Sequence, residues 1–364
     1  MAYDKVMATP PSLPDRQAVR LRVNQYLEAF FREQLAQAAS IGPAYYELWG
    51  VTHTLTMAGG KRLRPYLCLL AYHAYGGTDD RTLVAVGAAL ELLHVGLLIH
   101  DDIIDHDTMR YGIDNVSGYY QKYYRREHNL AANAARHYSD SLAMLAGDLL
   151  LTSAHTILLD SGLAPAQIMV VQRHLQRALF SVVAGEQFDT DSVLREKTTV
   201  DSLRIAELKT ATYSMVAPLL CGAELAGASV AERTKLSLFA ANLGIAYQLC
   251  DDLLGSFGDP SITGKTNQGD LEEGKVTYLL QATLRRCTVS QRTGILKAIG
   301  KPLTAHQAEK IRTVMRRCGA VAETEALIDD YHQKALIGLA STHLPATTKQ
   351  AFRALVVSLL QRQR

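Results

Sequence analysis

Apolar residues recur at three- and four-residue spacing through long intervals of the chain, and the 10 prolines stand between these intervals. This spacing places apolar side chains along one face of an α-helix, because a helix turns about once every 3.6 residues. Segments that alternate apolar and polar residues, as a half-buried strand would, are scarce. No repeat of fixed period and no low-complexity linker marks a boundary between domains. The pattern therefore predicts an all-α protein, built as a single large helical bundle.

Two segments are apolar on nearly all sides, as the buried central helices of such a bundle should be. They read LVAVGAALELLHVGLLIHDDIID, residues 83–105, and KLSLFAANLGIAYQLCDDLLG, residues 235–255. We expect an N-terminal tail at residues 1–16 and one all-helical domain at residues 17–364. Residues 285–364 carry no chemical motif, and we expect them to form C-terminal helices that complete the bundle.

The charge balance narrows the choice of partners. Lys and Arg number 38 against 36 Asp and Glu, a formal charge of +2, so no nucleic-acid partner is expected. The 5 cysteines are scattered and include no CxxC pair, which argues against a disulfide framework or a zinc site and fits a cytoplasmic location. Glu91 and His94 interrupt the most apolar stretch, residues 84–99, so we expect no membrane span.

Three carboxylates, Asp101, Asp102 and Asp105, close the first apolar segment. On an α-helix they fall at roughly 0°, 100° and 40°, within one sector. Such a helix end is either solvated or occupied by cations, and carboxylate oxygens suit Mg²⁺ held together with a phosphate. Asp251 and Asp252 end the second segment in the same way. If the two helix ends face each other, all of these carboxylates surround one cavity and can hold several divalent ions that bridge a diphosphate.

Basic residues cluster in two glycine-containing segments. GGKRLRP contains Lys61, Arg62 and Arg64, and such a turn either wraps a phosphate group or forms an ordinary surface loop. TGKTNQGDLEEGKVT contains Lys265 and Lys275 between glycines. This second segment is typical of a mobile loop that closes over an anion, although it lacks the P-loop pattern.

Two further side chains allow more than one interpretation. His94 lies seven residues before Asp101, two helical turns back on the same face, so it either binds a ligand in the same cavity or serves the structure. Lys209 enters an apolar helix, and its position alone predicts only a lysine that extends its ammonium group to solvent.

Seven motifs occur in the order and spacing found in the trans-isoprenyl diphosphate synthases, the polyprenyl synthetase family. They are GGKRLRP, ELLHVGLLIHDDIIDHDTMR, AGDLLL, GEQFD, LKTATY, YQLCDDLLG and GKTNQGDLEEGK, and they fall within residues 55–280. The chain therefore resembles the farnesyl and geranylgeranyl diphosphate synthases of that family. The resemblance implies a helical bundle of the isoprenoid synthase type with a central active-site cavity.

The resemblance assigns roles to residues in three groups. The metal ligands would be Asp101, Asp102, Asp105, Asp251 and Asp252, which bind the Mg²⁺ ions that hold an allylic diphosphate. The residues that contact the same diphosphate would be Arg110, Lys209, Lys265 and Lys275. The residues that bind isopentenyl diphosphate would be Lys61, Arg64 and His94, and those that line the carbocation site would be Thr210 and Gln248.

The resemblance also implies the reaction. Mg²⁺, or Mn²⁺ in its place, and the lysines would stabilise the departing diphosphate, and the double bond of isopentenyl diphosphate would attack the allylic carbocation. One alternative is a catalytically weak partner subunit of a hetero-oligomeric synthase. Another is a terpene cyclase, which would not need the GGKRLRP site. The family usually forms homodimers, and we expect the same here.

Product length in this family depends on side chains about one turn before the first Asp-rich motif. Here Gly96 and Leu97 lie five and four residues before Asp101, and Leu93 lies a further turn back. Gly96 should leave the floor of the tunnel open, and the two leucines should narrow it in part. We therefore expect products of the farnesyl to geranylgeranyl class or somewhat longer.

Three features depart from the family pattern. Tyr111 replaces the second arginine of an Arg-Arg-Gly triplet, a residue expected to bind isopentenyl diphosphate. Gly255 replaces the third aspartate of the second motif, with Asp259 four residues further on as a partial substitute. The stretch at residues 116–138 is longer than in compact members and rich in tyrosine, and it forms either a helical core stripe or an active-site cover.

Overall fold

The structure, a computed structural model, describes residues 13–258 and 267–360. Its N-terminal portion consists of α1 (Arg16–Ile41), α2 (Pro43–Ala58), α3 (Leu63–Ala74), α4 (Asp80–Ile104), the strands β1 (Met109–Arg110) and β2 (Ile113–Asp114), α5 (Val116–Glu127) and α6 (Ala132–Thr156). The two short strands form one antiparallel pair, the only sheet in the described ranges.

In the C-terminal portion all described secondary-structure elements are helices. It consists of α7 (Pro165–Ser192), α8 (Ser202–Ala206), a π-helix (Glu207–Val216), α9 (Ala217–Leu225), α10 (Val230–Phe257), α11 (Gly269–Glu273), α12 (Tyr278–Arg286), α13 (Val289–Ala298), α14 (Ala305–Arg317), α15 (Ala320–Ser341) and α16 (Ala346–Leu360). The prediction of an all-α fold is confirmed.

The helix α4 is buried along most of its length. Its N-cap residue Asp79 accepts hydrogen bonds from the backbone N–H groups of Arg81 and Thr82, two of the donors that a helix start leaves unpaired. Within the described ranges α4 alone is long and apolar enough to cross a membrane, but 83% of its most apolar window is buried inside the fold. It is therefore a core helix and not a membrane span.

The helix α10 is the second central helix, and it packs against α15, the π-helix and α9. Its N-cap Ser229 accepts a hydrogen bond from the backbone N–H of Glu232. Phe239 of α10 meets Phe352 of α16 edge to face, with ring centroids 5.5 Å apart. The C-terminal helices thus cover α10 and complete the bundle, as the sequence predicted.

The π-helix lies between α7 and α10, and two glycines make this close approach possible. A Cβ atom on Gly185 of α7 would lie 2.5 Å from the backbone nitrogen of Lys209, and one on Gly244 of α10 would lie 2.4 Å from Cα of Ala211. A side chain at either position would force the helices apart, because protein interiors are close-packed. The glycines therefore set the position of a π-helix that carries Lys209 and Thr210, and such helices often occur at functional sites.

The helices α3 and α9 also pack at a distance that only glycine permits, since a Cβ atom on Gly222 would lie 2.0 Å from the carbonyl oxygen of Cys68. We expect Gly222→Ala to lower the free energy of unfolding by about 1–3 kcal/mol, because the two helices must separate. Gly50→Ala is the control, since an added Cβ there meets no atom within 4 Å. Gly50→Ala should raise the free energy of unfolding by up to ~1 kcal/mol, because alanine has a higher helix propensity than glycine. Chemical denaturation measures both changes, and equal midpoints for the two variants would contradict the prediction.

Candidate active site

The C-terminal ends of α4 and α10 border one large cavity of about 1510 Å³. Asp101 and Asp105 line it from α4, and Asp251 and Asp252 line it from α10. Side chains of α7 and the π-helix complete the wall. The two acidic helix ends therefore meet at one cavity, as the sequence predicted.

Asp102 is placed differently from the other aspartates of its motif. Its carboxylate is buried and accepts hydrogen bonds from Arg110, through Nε at 2.8 Å and through Nη2. Asp102 does not line the cavity, so the prediction that all three carboxylates of the first motif face it is wrong for this residue. The cause is the step of about 100° between adjacent helix positions, which turns Asp102 towards the β1 strand. Arg110 is thereby held at the cavity edge, 3.6 Å from Asp101.

Lys209 lies among three carboxylates on the α7 side of the cavity and does not extend to solvent. Its Nζ atom is 3.2 Å from Asp101 Oδ1, 2.8 Å from Glu186 Oε2 and 2.8 Å from Asp189 Oδ2. Burial disfavours the charged lysine, but these carboxylates raise the pKa of Lys209 well above its usual value. Burial likewise opposes ionisation of Asp101, yet the neighbouring cations, Lys209 first among them, lower the pKa of Asp101 to about 2.

Glu186 and Asp189 are site residues that sequence reasoning did not single out. Both belong to the motif GEQFD, and their three-residue spacing puts them on one face of α7. That spacing, together with the motif, is the signal that could have identified them. Burial raises the pKa of Glu186 to about 7, although Lys209 acts in the opposite direction.

Lys275 is the cation on the other side of the first motif. Its Nζ atom lies 2.6 Å from Asp105 Oδ2 and 2.9 Å from Glu273 Oε2. Burial raises the pKa of Glu273 to about 7, and Lys275 acts in the opposite direction. Lys265, the other lysine predicted from the glycine-containing segment, lies outside the described residues.

A chain of hydrogen bonds joins the π-helix to α10 at the cavity wall. Thr210 Oγ1 donates to Gln248 Oε1, and Gln248 Nε2 donates to Asp252 Oδ1 at 2.8 Å. Burial raises the pKa of Asp252 well above its usual value, against the effect of the Gln248 bond, and neighbouring carboxylates add to the rise. All three residues line the cavity, so they form one connected polar unit there.

The innermost carboxylates have the arrangement of a divalent-cation site. One oxygen atom each of Asp101, Asp105 and Glu186 lies within 4.8 Å of the other two. Hard divalent cations bind carboxylate oxygens, and a bound cation offsets the repulsion between like charges at such distances. The donor set therefore fits a divalent metal, with Glu186 as the member that the sequence did not predict.

The third aspartate that the second motif lacks has a structural substitute. A Cβ atom on Gly255 would lie 2.7 Å from Asp270 Oδ2, so the Asp270 carboxylate occupies the space beside Gly255. Asp270 belongs to α11 and lines the cavity together with Asp251 and Asp252. The substitute predicted from the sequence, Asp259, lies outside the described residues. A carboxylate thus reaches this position from a later segment of the chain.

The GGKRLRP turn contains one arginine that serves the structure. Arg62 is 2% exposed, and its guanidinium donates to Glu91 Oε1 at 2.7 Å, Asn24 Oδ1 at 2.8 Å and the carbonyl oxygen of Thr56 at 2.9 Å. These bonds tie the turn to α1, α2 and α4. Arg62 is therefore committed to the fold and is not one of the residues that wrap a phosphate.

Arg64 and His94 converge on Tyr213 of the π-helix. Arg64 Nη2 donates to Tyr213 Oη at 2.8 Å and to Ser214 Oγ at 2.6 Å, and His94 Nδ1 lies 3.4 Å from the same tyrosine hydroxyl. Burial first, and then the nearby arginines, hold the pKa of His94 well below its usual value. Tyr213 and Lys61 line the cavity. Arg64 and His94 are not themselves lining residues and lie behind Tyr213. Lys61 and Tyr213, with Arg64 and His94 behind them, are called the basic wall, and the aspartates opposite are called the acidic wall.

Tyr111 lies in this basic region, where the family pattern has an arginine. Its ring covers Gly59, since a Cβ atom there would lie 2.3 Å from Tyr111 Cγ. Burial and the charge of Glu91 raise the pKa of Tyr111, and three nearby arginines oppose the rise. The residue is 43% exposed. A neutral phenol therefore occupies the place of a cation.

The residues before the first Asp-rich motif do not all face the cavity. Leu97 lines it, whereas Leu93 is 2% exposed and packs in the core. A Cβ atom on Gly96 would lie 3.1 Å from Leu151 Cγ and 3.1 Å from the carbonyl oxygen of Gly147 in α6. The space beside Gly96 is filled by Leu151, so the expectation of an open floor at Gly96 is wrong.

Known proteins match both the sequence and the fold. A family model described as polyprenyl synthetase matches residues 47–317. The geranylgeranyl diphosphate synthase of Sulfolobus acidocaldarius is 32% identical over 288 residues, which cover 76% of this chain and 80% of that relative. The geranylfarnesyl diphosphate synthase of Aeropyrum pernix is 30% identical over 296 residues, covering 79% and 85%. A solved geranylgeranyl pyrophosphate synthase from Corynebacterium glutamicum, complexed with isoprenyl diphosphate and magnesium, has a TM-score of 0.87 at 30% identity, covering 95% of this chain and 98% of that one.

An all-helical bundle with two acidic helix ends at one cavity, and lysines beside the carboxylates of the first, defines a class of metal-dependent transferases that act on diphosphates. The chain belongs to the polyprenyl synthetase family, as its motifs predicted. Members of this family make trans-prenyl diphosphates with a divalent metal, and the cluster of Asp101, Asp105 and Glu186 fits such a metal.

Proposed function

We propose that this protein condenses isopentenyl diphosphate with an allylic diphosphate to give a trans-prenyl diphosphate and inorganic diphosphate. The observation that carries the proposal is the single cavity with an acidic wall at Asp101 and Asp251 and a basic wall around Tyr213. The acidic wall suits a diphosphate held through metal ions, and the basic wall suits one held directly by side chains. Two diphosphates can therefore be bound side by side in different ways.

The acidic wall is proposed to hold the allylic substrate. Asp101, Asp105 and Glu186 would hold Mg²⁺, which when bound neutralises the negative charge that develops on the departing diphosphate. Lys209 and Lys275 already contact these carboxylates, at 3.2 Å and 2.6 Å, so both ammonium groups lie within reach of the same diphosphate. Asp102 serves this wall indirectly, because it orients Arg110.

The basic wall is proposed to hold isopentenyl diphosphate. Arg64 is fixed by Tyr213 and Ser214, and Lys61 borders the same space. His94 lies 3.4 Å from the Tyr213 hydroxyl and would act as a hydrogen-bonding group in this wall. Fixed donors of this kind orient the double bond of the substrate towards the reacting carbon of the allylic partner.

The condensation between the two walls needs a pocket that excludes water and has polar groups at its edge. When the allylic C–O bond breaks, the electron pair leaves with the diphosphate and a carbocation remains. Thr210 and Gln248 line the cavity with polar side chains, and Leu97 and Val182 line it with apolar surface that excludes water. The double bond of isopentenyl diphosphate then forms the new C–C bond, and loss of a proton restores an alkene.

We further propose that residues 17–364 form one domain that acts in the cytoplasm as a homodimer. The surface of α7 supports the dimer, since Met169, Phe180 and Val183 are 64%, 74% and 54% exposed. These three side chains lie within about 60° of one another around the helix. A second copy of the chain would cover this apolar stripe, as isologous interfaces do.

One observation favours a second candidate function, a catalytically weak partner subunit of a larger synthase. Tyr111 removes a positive charge from the basic wall, where isopentenyl diphosphate would bind. The remaining cations, Lys61 and Arg64, favour the active enzyme. The two candidates differ in whether the purified chain makes product alone.

Purified protein incubated with Mg²⁺, isopentenyl diphosphate and each of dimethylallyl, geranyl and farnesyl diphosphate should form longer prenyl diphosphates, measured by chromatography after dephosphorylation. Excess EDTA should abolish product, and Asp101→Asn should lower turnover about 100-fold or more, because charge stabilisation of the leaving group is lost. Asp330→Asn is the control, since Asp330 is 51% exposed on α15. It should leave the rate unchanged.

The possible results separate the candidates. Turnover that persists in EDTA would contradict the metal requirement. Hydrocarbons formed from an allylic diphosphate alone would indicate a terpene cyclase. An absence of product with every primer would indicate the partner subunit. An unchanged melting temperature of Asp101→Asn would show that its loss of activity is chemical.

Tyr111→Arg should lower the KM for isopentenyl diphosphate about tenfold, the effect of one charge-assisted contact of about 1.5 kcal/mol at this partly exposed position. The KM for the allylic substrate should barely move, because that substrate belongs to the acidic wall. Tyr111→Phe is the control, which keeps the ring over Gly59 and adds no charge. Initial-rate kinetics with both substrates varied would measure these values. An isopentenyl KM that Tyr111→Arg leaves unchanged would show that another cation already fills this role.

Leu97→Ala should lengthen the products beyond those of the unmodified protein, because it removes apolar volume from the cavity wall that the prenyl tail passes. Leu93→Ala is the control, since Leu93 packs in the core and does not line the cavity. Leu93→Ala should lower the melting temperature, and it should change the product distribution less than Leu97→Ala does. Chromatography of the dephosphorylated products measures both. Identical distributions for Leu97→Ala and the unmodified protein would place the length limit elsewhere.

A further inference from the structure

A second cavity of about 250 Å³ lies between α7, α9 and α10. It is lined by Arg173, His174, Arg177, Leu220, Glu224 and Arg233, none of which lines the active-site cavity. His174 lies twelve residues before Glu186 on the same helix, a separation of about 18 Å along the axis. The two cavities are therefore distinct.

The arginines of this cavity are only loosely engaged by the one carboxylate in it. Glu224 Oε2 is 2.9 Å from His174 Nε2, whereas Glu224 Oε1 is 3.5 Å from Arg173 Nη2 and 3.6 Å from Arg233 Nη1. Arg177 forms no ion pair with any residue in the described ranges. Arg233 Nη1 also donates to the carbonyl oxygen of Ala228 at 3.2 Å, and the Arg173 side chain is 57% exposed. Because each guanidinium carries five N–H donors, further donors stay available to an anion in the cavity.

The charge of the cavity is also unbalanced. Three guanidiniums face one carboxylate, a local excess of two positive charges when His174 is neutral. Burial is the main cause of a lowered pKa of His174, and the charge of Glu224 opposes it. His174 is 5% exposed and bonded to Glu224, so it fixes the carboxylate and leaves the arginines to face the cavity. Converging cations of this kind are stabilised by a bound anion.

The size and lining of the cavity define the anion. Its 250 Å³ lies below the range of about 300–1,000 Å³ that is usual for organic ligands. Leu220 is its one apolar lining residue, so it offers no wall for a prenyl tail. Guanidinium groups match phosphate oxygens in pairs, and no Phe, Tyr or Trp ring is among the lining residues to stack on a base.

We propose that this cavity binds a compact phosphate anion, with inorganic diphosphate preferred over orthophosphate because it carries more charge. Arg177 of α7 and Arg233 of α10 are the principal ligands, and Arg173 lies closest to the apolar stripe of α7. The site is separate from the active site and does not depend on the metal ions there.

Isothermal titration of the full chain with diphosphate in excess EDTA, without prenyl substrates, tests the proposal. Besides the diphosphate that the basic wall can hold without metal, one saturable site is expected, and it should remain in Lys61→Gln and in Lys209→Gln, changes confined to the active-site cavity. Affinity should fall at least tenfold in Arg177→Gln and in Arg233→Gln. It should be unchanged in Arg353→Gln, an exposed arginine on α16 outside both cavities. Orthophosphate should compete with diphosphate and bind more weakly.

Melting temperatures equal to that of the unmodified protein would show that the variants are folded. The proposal is overturned if no saturable binding occurs, or if all binding is lost in Lys61→Gln and the same binding is retained in Arg177→Gln, since the anion would then belong to the active site. It is also overturned if Arg353→Gln weakens binding as much as Arg177→Gln does. Because no metal or prenyl substrate is present, the outcome is independent of the proposed condensation reaction.

Discussion

The rest of the structure depends on one constraint, the compensation of carboxylate charge inside one cavity. Asp101, Asp105 and Glu186 bring oxygen atoms within 4.8 Å of one another. At an effective dielectric constant of about 20, two unit charges at that distance repel by roughly 3–4 kcal/mol. Lys209 and Lys275 offset this repulsion, and each lies between carboxylates supplied by different helices. The cluster therefore favours ligands that bring cations in with them.

The packing of the bundle serves this electrostatic arrangement. Gly185 and Gly244 allow the π-helix to approach α7 and α10 closely, and that approach brings Lys209 to the acidic residues of α7. The buried pair of Arg62 and Glu91 holds the turn that carries the basic wall. A buried ion pair of this kind adds little net stability by itself, but losing one partner would leave an uncompensated charge in the core. Small residues and buried ions thus set the distance between the two walls.

The site also shows how one chemical need can be met from different points along a chain. The second Asp-rich motif lacks its third aspartate at Gly255, and Asp270 of α11 brings a carboxylate to the same space. The basic wall shows the opposite case, because Tyr111 brings a phenol where the family pattern has a guanidinium. In the acidic wall the missing carboxylate is thus supplied from another position in the chain. The basic wall has one positive charge fewer than the family pattern.

The sequence by itself determined the helical class, the two central helices and the acidic groups at their ends. The helical periodicity, and the burial that it predicts, depend on side chains a few residues apart. The order and spacing of the motifs identified the family. It could not show that Asp102 turns away from the cavity to bind Arg110, that Arg62 is buried, or that Leu151 fills the space beside Gly96. These outcomes, like the places of Glu186 and Asp270, depend on which helices come into contact. Contacts between residues far apart in the chain are decided by tertiary packing, because they arise only when several helices fill one close-packed interior.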